Sequence, residues 1–158
     1  MATLRPAGHP AVDDALDTAV RSLRARGLRV SSARRLVLTA LASADRPLSA
    51  QDIAGGMGGK LPSSDVASVY RNLDTLEQAG LAHHLHPGRG ASLYELSARR
   101  GRAYLVCDRC NAVRPADPAT VAGLAERVRA ELGFEPRFGE FPIVGLCASC
   151  ADAVGVDG

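Results

Sequence analysis

All four cysteines of this 158-residue chain fall in two C-x-x-C pairs, Cys107 with Cys110 and Cys147 with Cys150. Two thiolates on one tight turn can reach a single ion, and a second such pair completes a tetrahedral shell. Sulfur ligands select zinc over magnesium or calcium. A shell of four cysteines leaves no position for water, so the ion would hold structure and perform no chemistry. Three other readings stand beside this one. Two disulfides would need an oxidising compartment, a redox pair would need a helix start and no second pair, and unliganded cysteines are common in cores.

The elements that must carry these pairs are legible downstream of Ser97. Ala103–Cys107 and Ala112–Arg114 read as strands around the first cysteine turn. Val121, Leu124, Val128 and Leu132 recur at helical spacing over Pro118–Leu132, which Gly133 ends. Phe134–Leu146 reads as a strand leading into the second turn. Strand, strand, helix, strand makes a small α/β unit, thin enough to benefit from a metal cross-link.

Upstream the pattern is helical. Val12, Leu16, Ala19 or Val20, and Leu23 space a first helix, ended by Gly27. Ser31 or Ser32 can cap a second built on Leu36, Val37, Ala40 and Leu41, with Arg34 and Arg35 in its first turn against the helix dipole, a hint of a nearby anion. Ser49, with Asp52 three residues on, opens a short third helix. Ser64 or Asp65 opens a fourth, with Val66, Val69, Leu73 and Leu76 as its apolar stripe. Ser68, Tyr70, Arg71 and Asn72 lie off or at the edge of that stripe, and Arg and Asn can read base edges in pairs of hydrogen bonds. Leu81–His86 and Ser92–Leu96 flank Pro87-Gly88-Arg89-Gly90 as a hairpin. Three short helices, a fourth rich in donors and a hairpin are the parts of a winged helix that lays its last helix in the major groove.

The net charge of +2 does not by itself advertise nucleic acid. Position says more: Arg21, Arg24, Arg26, Arg29, Arg34 and Arg35 crowd one segment, a density suited to phosphate or to a solvated helix face. Arg89, at the hairpin tip, is a candidate backbone contact. The expected division is a tail over 1–11, a winged-helix DNA-binding domain over 12–96, a hinge over 97–102 and a zinc-stapled dimerisation domain over 103–158, an α+β fold. No apolar run reaches the roughly 20 residues of a membrane span, and Asp13, Asp14 and Asp17 stand where a secretory leader would be apolar, so a cytoplasmic protein is expected.

With these residues in view, the chain resembles the ferric uptake regulator family from about Leu28 to Cys150. The resemblance rests on Gly27-Leu28-Arg29 with Arg34, on Ala67-Ser68-Val69-Tyr70-Arg71-Asn72-Leu73 with Gly80-Leu81, on Tyr94-Glu95-Leu96, and on Leu105-Val106-Cys107-x-x-Cys110 with Gly145-x-Cys147-x-x-Cys150. It implies a homodimer on a palindromic DNA operator, regulating transcription as a repressor, with a structural Zn2+ on the four cysteines. It places Tyr70 and Arg71 on the recognition helix, and with Arg29, Arg34, Ser68, Asn72 and Arg89, read from the chain itself, these are the expected DNA-binding residues.

The chain departs from the family at the sensing metal. Family members usually carry a His-rich run before Leu-Val-Cys, whereas here Arg100-Gly101-Arg102-Ala103-Tyr104 holds no histidine. Pro47 and Glu140 stand where further histidine ligands usually lie, and Glu95 alone keeps its place among the usual hinge ligands. Two expectations follow. His84 and His86 share a strand face, with His83 on the other, and Glu95 could join them in a second divalent site for iron, nickel or zinc, with Glu140 as a further candidate. Alternatively Arg102 pairs with Glu95 and replaces the cation. Outside regulation, a zinc-ribbon adaptor is the rival. An enzyme is not expected, because no serine, cysteine or paired-carboxylate arrangement suggests a nucleophile or an acid and base.

Overall fold

The computed structural model describes residues 10–88 and 90–153. The chain divides into two compact units, one running to His84 and resuming over Ser92–Ala98, the other made of Leu85–Ala91 and everything from Arg99. Arg89 lies outside the described residues.

In the N-terminal unit, α1 (Pro10–Ala25) begins inside the expected tail and buries Val12, Leu16, Ala19, Val20 and Leu23. The second helix, α2 (Ser32–Ser43), is capped by Ser31, whose hydroxyl accepts the N–H of Arg34. A two-residue strand β1 (Leu48–Ser49) follows, where sequence alone reads a loop. Two residues carry no alternation to detect, and β1 exists because β3 pairs with it. Ser49 also caps α3 (Ala50–Ala54) in a reciprocal box with Asp52. The next turn, α4 (Gly56–Gly59), is left-handed: Gly56, Met57, Gly58 and Gly59 all have positive φ. Only glycine adopts this freely, which explains a segment so rich in it. Gly56 is held most tightly, since a Cβ there would sit 2.3 Å from the Leu61 carbonyl oxygen.

Helix α5 (Val66–Gln78) is capped by Asp65, which accepts the Ser68 N–H, and it buries Val69, Asn72, Leu73 and Leu76. Val66, placed on the apolar stripe by spacing, is 38% exposed, because it lies in the first turn, before the helix settles on the core. Strands β2 (Ala82–Leu85) and β3 (Leu93–Leu96) complete a sheet of order β1-β3-β2, with β3 antiparallel to β1. Leu23, Leu38, Leu41, Leu48, Ile53, Leu73 and Leu76 are fully buried and join all of α1, α2, α3 and α5 in one core.

A 3-10 turn, η1 (Ser97–Arg99), leads to the C-terminal unit, whose sheet has the order β5-β4-β6: β4 (Tyr104–Cys107), β5 (Val113–Pro115) and β6 (Ile143–Gly145). The helix α6 (Pro118–Leu132) is capped by Asp117, and a last short helix α7 (Ala148–Asp152) follows β6. The long final strand expected over Phe134–Leu146 shrinks to three residues. Pro136 and Pro142 have no N–H to give a ladder, and Gly139 is packed where a Cβ would come 2.6 Å from the Gly101 carbonyl oxygen.

The expected stripe of α6 is only partly covered. Ala125 is the one buried residue of that helix, while Leu124 and Leu132 are 44% and 74% exposed. Phe134, Phe141, Leu105, Val144 and Leu146 are exposed as well. Taken alone, this unit leaves much of its apolar surface in water.

Gly56→Ala should destabilise the chain by about 1–3 kcal/mol more than Gly59→Ala, since both sites carry the left-handed cost but only the first adds a backbone clash. Paired urea melts followed by circular dichroism measure the difference; equal midpoints would contradict the packing argument.

Candidate metal centre and nucleic-acid interface

The cysteine pairs meet because β4 and β6 run parallel. Their register sets Cys107 opposite Gly145, and the Asp108 N–H continues the ladder to the Gly145 carbonyl at 3.0 Å. Cys147, two residues past Gly145, is thereby delivered beside the first pair. Each pair is wound into a turn by its own backbone: Asn111 N–H donates to the Cys107 carbonyl, and Cys150 N–H to the Cys147 carbonyl, both at 2.9 Å. Asn111 takes a left-handed φ of 57°, a conformation asparagine tolerates better than most residues. The Arg109 guanidinium donates to the Cys150 carbonyl at 3.1 Å and ties the two turns together.

All four sulfurs lie within 4.8 Å of one another, and Cys110 Sγ is 3.8 Å from Cys147 Sγ. A tetrahedron of metal–sulfur bonds about 2.3 Å long has edges of about 3.8 Å. No disulfide links these four cysteines. Among the described residues this is the one group of three or more metal-ligating side chains gathered to ion size. Its acidity suits a cation. Backbone N–H groups of Cys110 and Cys147 bring the Cys107 thiol down to about 6, and the Ser149 hydroxyl, then the Cys150 N–H, lower that of Cys147. Cys150 is pushed up to about 12, chiefly by its hydrogen bond to Cys147. Four thiolates so close cannot all ionise unless a cation replaces the shared protons. The cluster fits the structural zinc read from the spacing, with no open position for chemistry.

Three residues around the second expected metal group have defined partners. On β2, alternation does separate His83 from His84, but Glu95 lies on the His83 side: His83 Nε2 is 3.2 Å from Glu95 Oε1, and that carboxylate is 1% exposed. His84 instead meets Glu77 of α5, Nδ1 to Oε1, at 2.5 Å, with its ring tilted against Tyr94 at 6.0 Å. Strand alternation alone does not supply these partners, which depend on the register of the hairpin. His86 and Glu140 belong to the C-terminal unit, where Glu140 pairs with Arg137 at 3.4 Å. Arg102 also lies in that unit, whereas Glu95 lies in the other with its carboxylate on His83.

On α5 the structure sorts the proposed DNA-facing residues into two groups. Ala67, Tyr70, Arg71 and Asp74 are exposed at spacings of three and four, so they form the outward face. The Tyr70 hydroxyl accepts from Gln51 of α3 at 3.4 Å, a partner that nothing in the sequence singles out. Asn72 faces inward and is 8% exposed. Its Nδ2 donates to the Ser68 carbonyl at 2.9 Å, and its Oδ1 accepts from Arg34 Nε at 3.2 Å. Arg34 also donates to the Arg29 carbonyl. Asn72 and Arg34 thus brace α5 to the start of α2. The arginine in the first turn of α2 finds its acceptors inside the protein. Arg29 and Arg35 are exposed, and Ser68 is half-buried.

The sequence profile of the Ferric uptake regulator family matches residues 25–138. The chain belongs to this family. It is 29% identical over 129 residues to the zinc uptake regulation protein of Escherichia coli K12, covering 80% of this chain and 75% of that one. Among solved structures, the ferric uptake regulator of Helicobacter pylori, described with three functional metal-binding sites, shares its fold with a TM-score of 0.65 at 22% identity, covering 95% of this chain and 97% of that chain. A zinc uptake regulator complexed with zinc and DNA aligns with a TM-score of 0.54 at 26% identity, covering 92% and 99%. The matched region takes in α2, α5, the hairpin, the first cysteine pair and α6. It stops before β6 and the second cysteine pair, which the parallel register brings to the first.

Purified protein should carry about one zinc per chain, and Cys107→Ser or Cys150→Ser should lose it together with the folded signal of the C-terminal unit. Elemental analysis with thiol titration before and after chelation checks this: the thiols should become reactive only as zinc leaves, and a metal-free protein with unchanged near-ultraviolet dichroism would contradict it.

Proposed function

We propose that the chain is a transcription regulator that binds a palindromic DNA operator as a homodimer and acts as a repressor by occupying it. The observation that carries this reading is the outward face of α5, where Tyr70 and Arg71 project from a helix that Asn72, Arg34 and Asp65 hold in place. A winged helix offers such a face to the major groove, and an exposed arginine there can grip a guanine edge in two hydrogen bonds. The exposed apolar residues of the C-terminal unit, led by Leu132, Phe134 and Phe141, support a second copy as the cover for that surface. Zinc on the four cysteines would then fix the half of the molecule that pairs the two copies. An adaptor with the same zinc unit would have no use for an exposed arginine and tyrosine on a braced helix. No helix among the described residues is long and apolar enough to cross a membrane.

Sensing remains with the hairpin in this reading. His83 and Glu95 lie 3.2 Å apart, and a divalent ion bound by them would have to recruit further ligands. Zinc-filled protein titrated with iron, nickel or zinc should therefore show a second binding event that is lost in His83→Ala and kept in His84→Ala. Loss in His84→Ala alone would favour the grouping of His84, His86 and Glu95.

An operator selected from a random duplex library should bind with an affinity that falls steeply with salt. Arg71→Ala should weaken it by about 1–3 kcal/mol with the melting temperature unchanged. Asn72→Ala should lower the melting temperature, because it leaves Arg34 without its buried partner. Fluorescence anisotropy and thermal melts separate the two effects; an Arg71→Ala protein that binds as well as the parent would remove the reading.

A further inference from the structure

The chain enters the C-terminal unit beside a cleft of about 520 Å³, a volume within the range of small-molecule sites. Arg102 and Ala103 line it on the entering segment, Val121 and Ala125 on α6, and Pro136 and Phe138 on the stretch before β6. Gly139 seats that last stretch directly on the backbone of Gly101. The lining contains no histidine, cysteine, aspartate or glutamate, so the cleft has no side chain with which to ligate a metal ion. Its walls are proline, alanine, valine and phenylalanine for the most part, and Arg102 is its one charged residue. Arg102 makes no ion pair with the described residues of its own unit.

We propose that this cleft binds a small organic acid, with an apolar body against α6 and Phe138 and its carboxylate on Arg102. The charge decides the class. One guanidinium satisfies one carboxylate through two parallel hydrogen bonds, whereas a nucleotide's phosphates would require more cations than the lining supplies. The apolar walls favour an aromatic or aliphatic body over a sugar, whose hydroxyls would find almost no partners. The cleft also borders the run Arg100–Tyr104 at which the chain passes into this unit, so a ligand there touches the connecting segment itself. Binding is independent of the DNA-binding role; any effect of the ligand on operator affinity rests on that role.

The test uses the full-length, zinc-loaded protein with phenylacetate and hexanoate as probes, and phenylacetamide and hexanamide as their neutral counterparts, followed by calorimetry and NMR shifts. Both acids should bind. The amides should bind about tenfold or more weakly, and Arg102→Gln should weaken the acids by about ten- to a hundredfold while leaving the amides unchanged. Ala122→Phe, which fills the cleft, should abolish binding with zinc content retained; Arg102→Gln, at an exposed position, keeps the test decisive if that variant fails to fold. Three results overturn the proposal: no acid binding up to about 10 mM, acids and amides bound alike or bound equally by Arg102→Gln, or an Ala122→Phe protein whose oligomeric state changes in sedimentation, which would give the cleft to a second copy of the chain. Acid binding that survives while no duplex is bound would count against the DNA-binding role and leave the cleft standing.

Discussion

The parallel pairing of β4 with β6 is the constraint on which the C-terminal unit depends. It is made of three residue pairs, Leu105 with Ile143, Val106 with Val144 and Cys107 with Gly145. So short a ladder offers little cohesion by itself, and among the residues of α6 only Ala125 is buried. Yet the register of those pairs is what sets Cys147 and Cys150 against Cys107 and Cys110. The dependence runs both ways. The strands bring the sulfurs to within ion size, and a cation there cross-links the two ends of the unit across the loop that holds α6. A thin apolar core and a four-sulfur site are two sides of one solution to the problem of stabilising a small unit.

The N-terminal unit is held by different physics. Its leucines and Ile53 are buried outright, and its helices are begun by side-chain caps at Ser31, Ser49 and Asp65. The polar brace from Arg34 to Asn72 adds orientation to that core. A buried amide with its groups engaged fixes the rotation of α5 about its own axis, so that Tyr70 and Arg71 point outward together. Residues that look interchangeable in the string Tyr-Arg-Asn therefore do opposite work: two face out and one faces in.

The main helical periods, the cap at Ser49, the glycine stops and the two C-x-x-C pairs were legible in the chain, and so was the family, since motif residues and their spacing are local properties. The hairpin was legible as a hairpin. Its cross-strand partners were not, because a register depends on the turn, and a slip of one residue exchanges faces; the pairing of Glu95 with His83 is a product of that register. The two-residue β1 and the shortened β6 escaped for a related reason. Strands of two or three residues are defined by their neighbours and carry no alternation of their own.

What the sequence determined by itself was therefore the inventory: which segments coil into helices, which thiols are available to a metal, and which donors stand on the helix after the turn. Only the tertiary structure decided the assignments. It turned Asn72 inward against Arg34, gave Glu77 to His84, and placed Arg102 on an apolar cleft. The physical reason is that propensity, capping and ligand spacing act within a few residues of the chain, whereas pairing and burial are settled between segments tens of residues apart, where only packing chooses the partner.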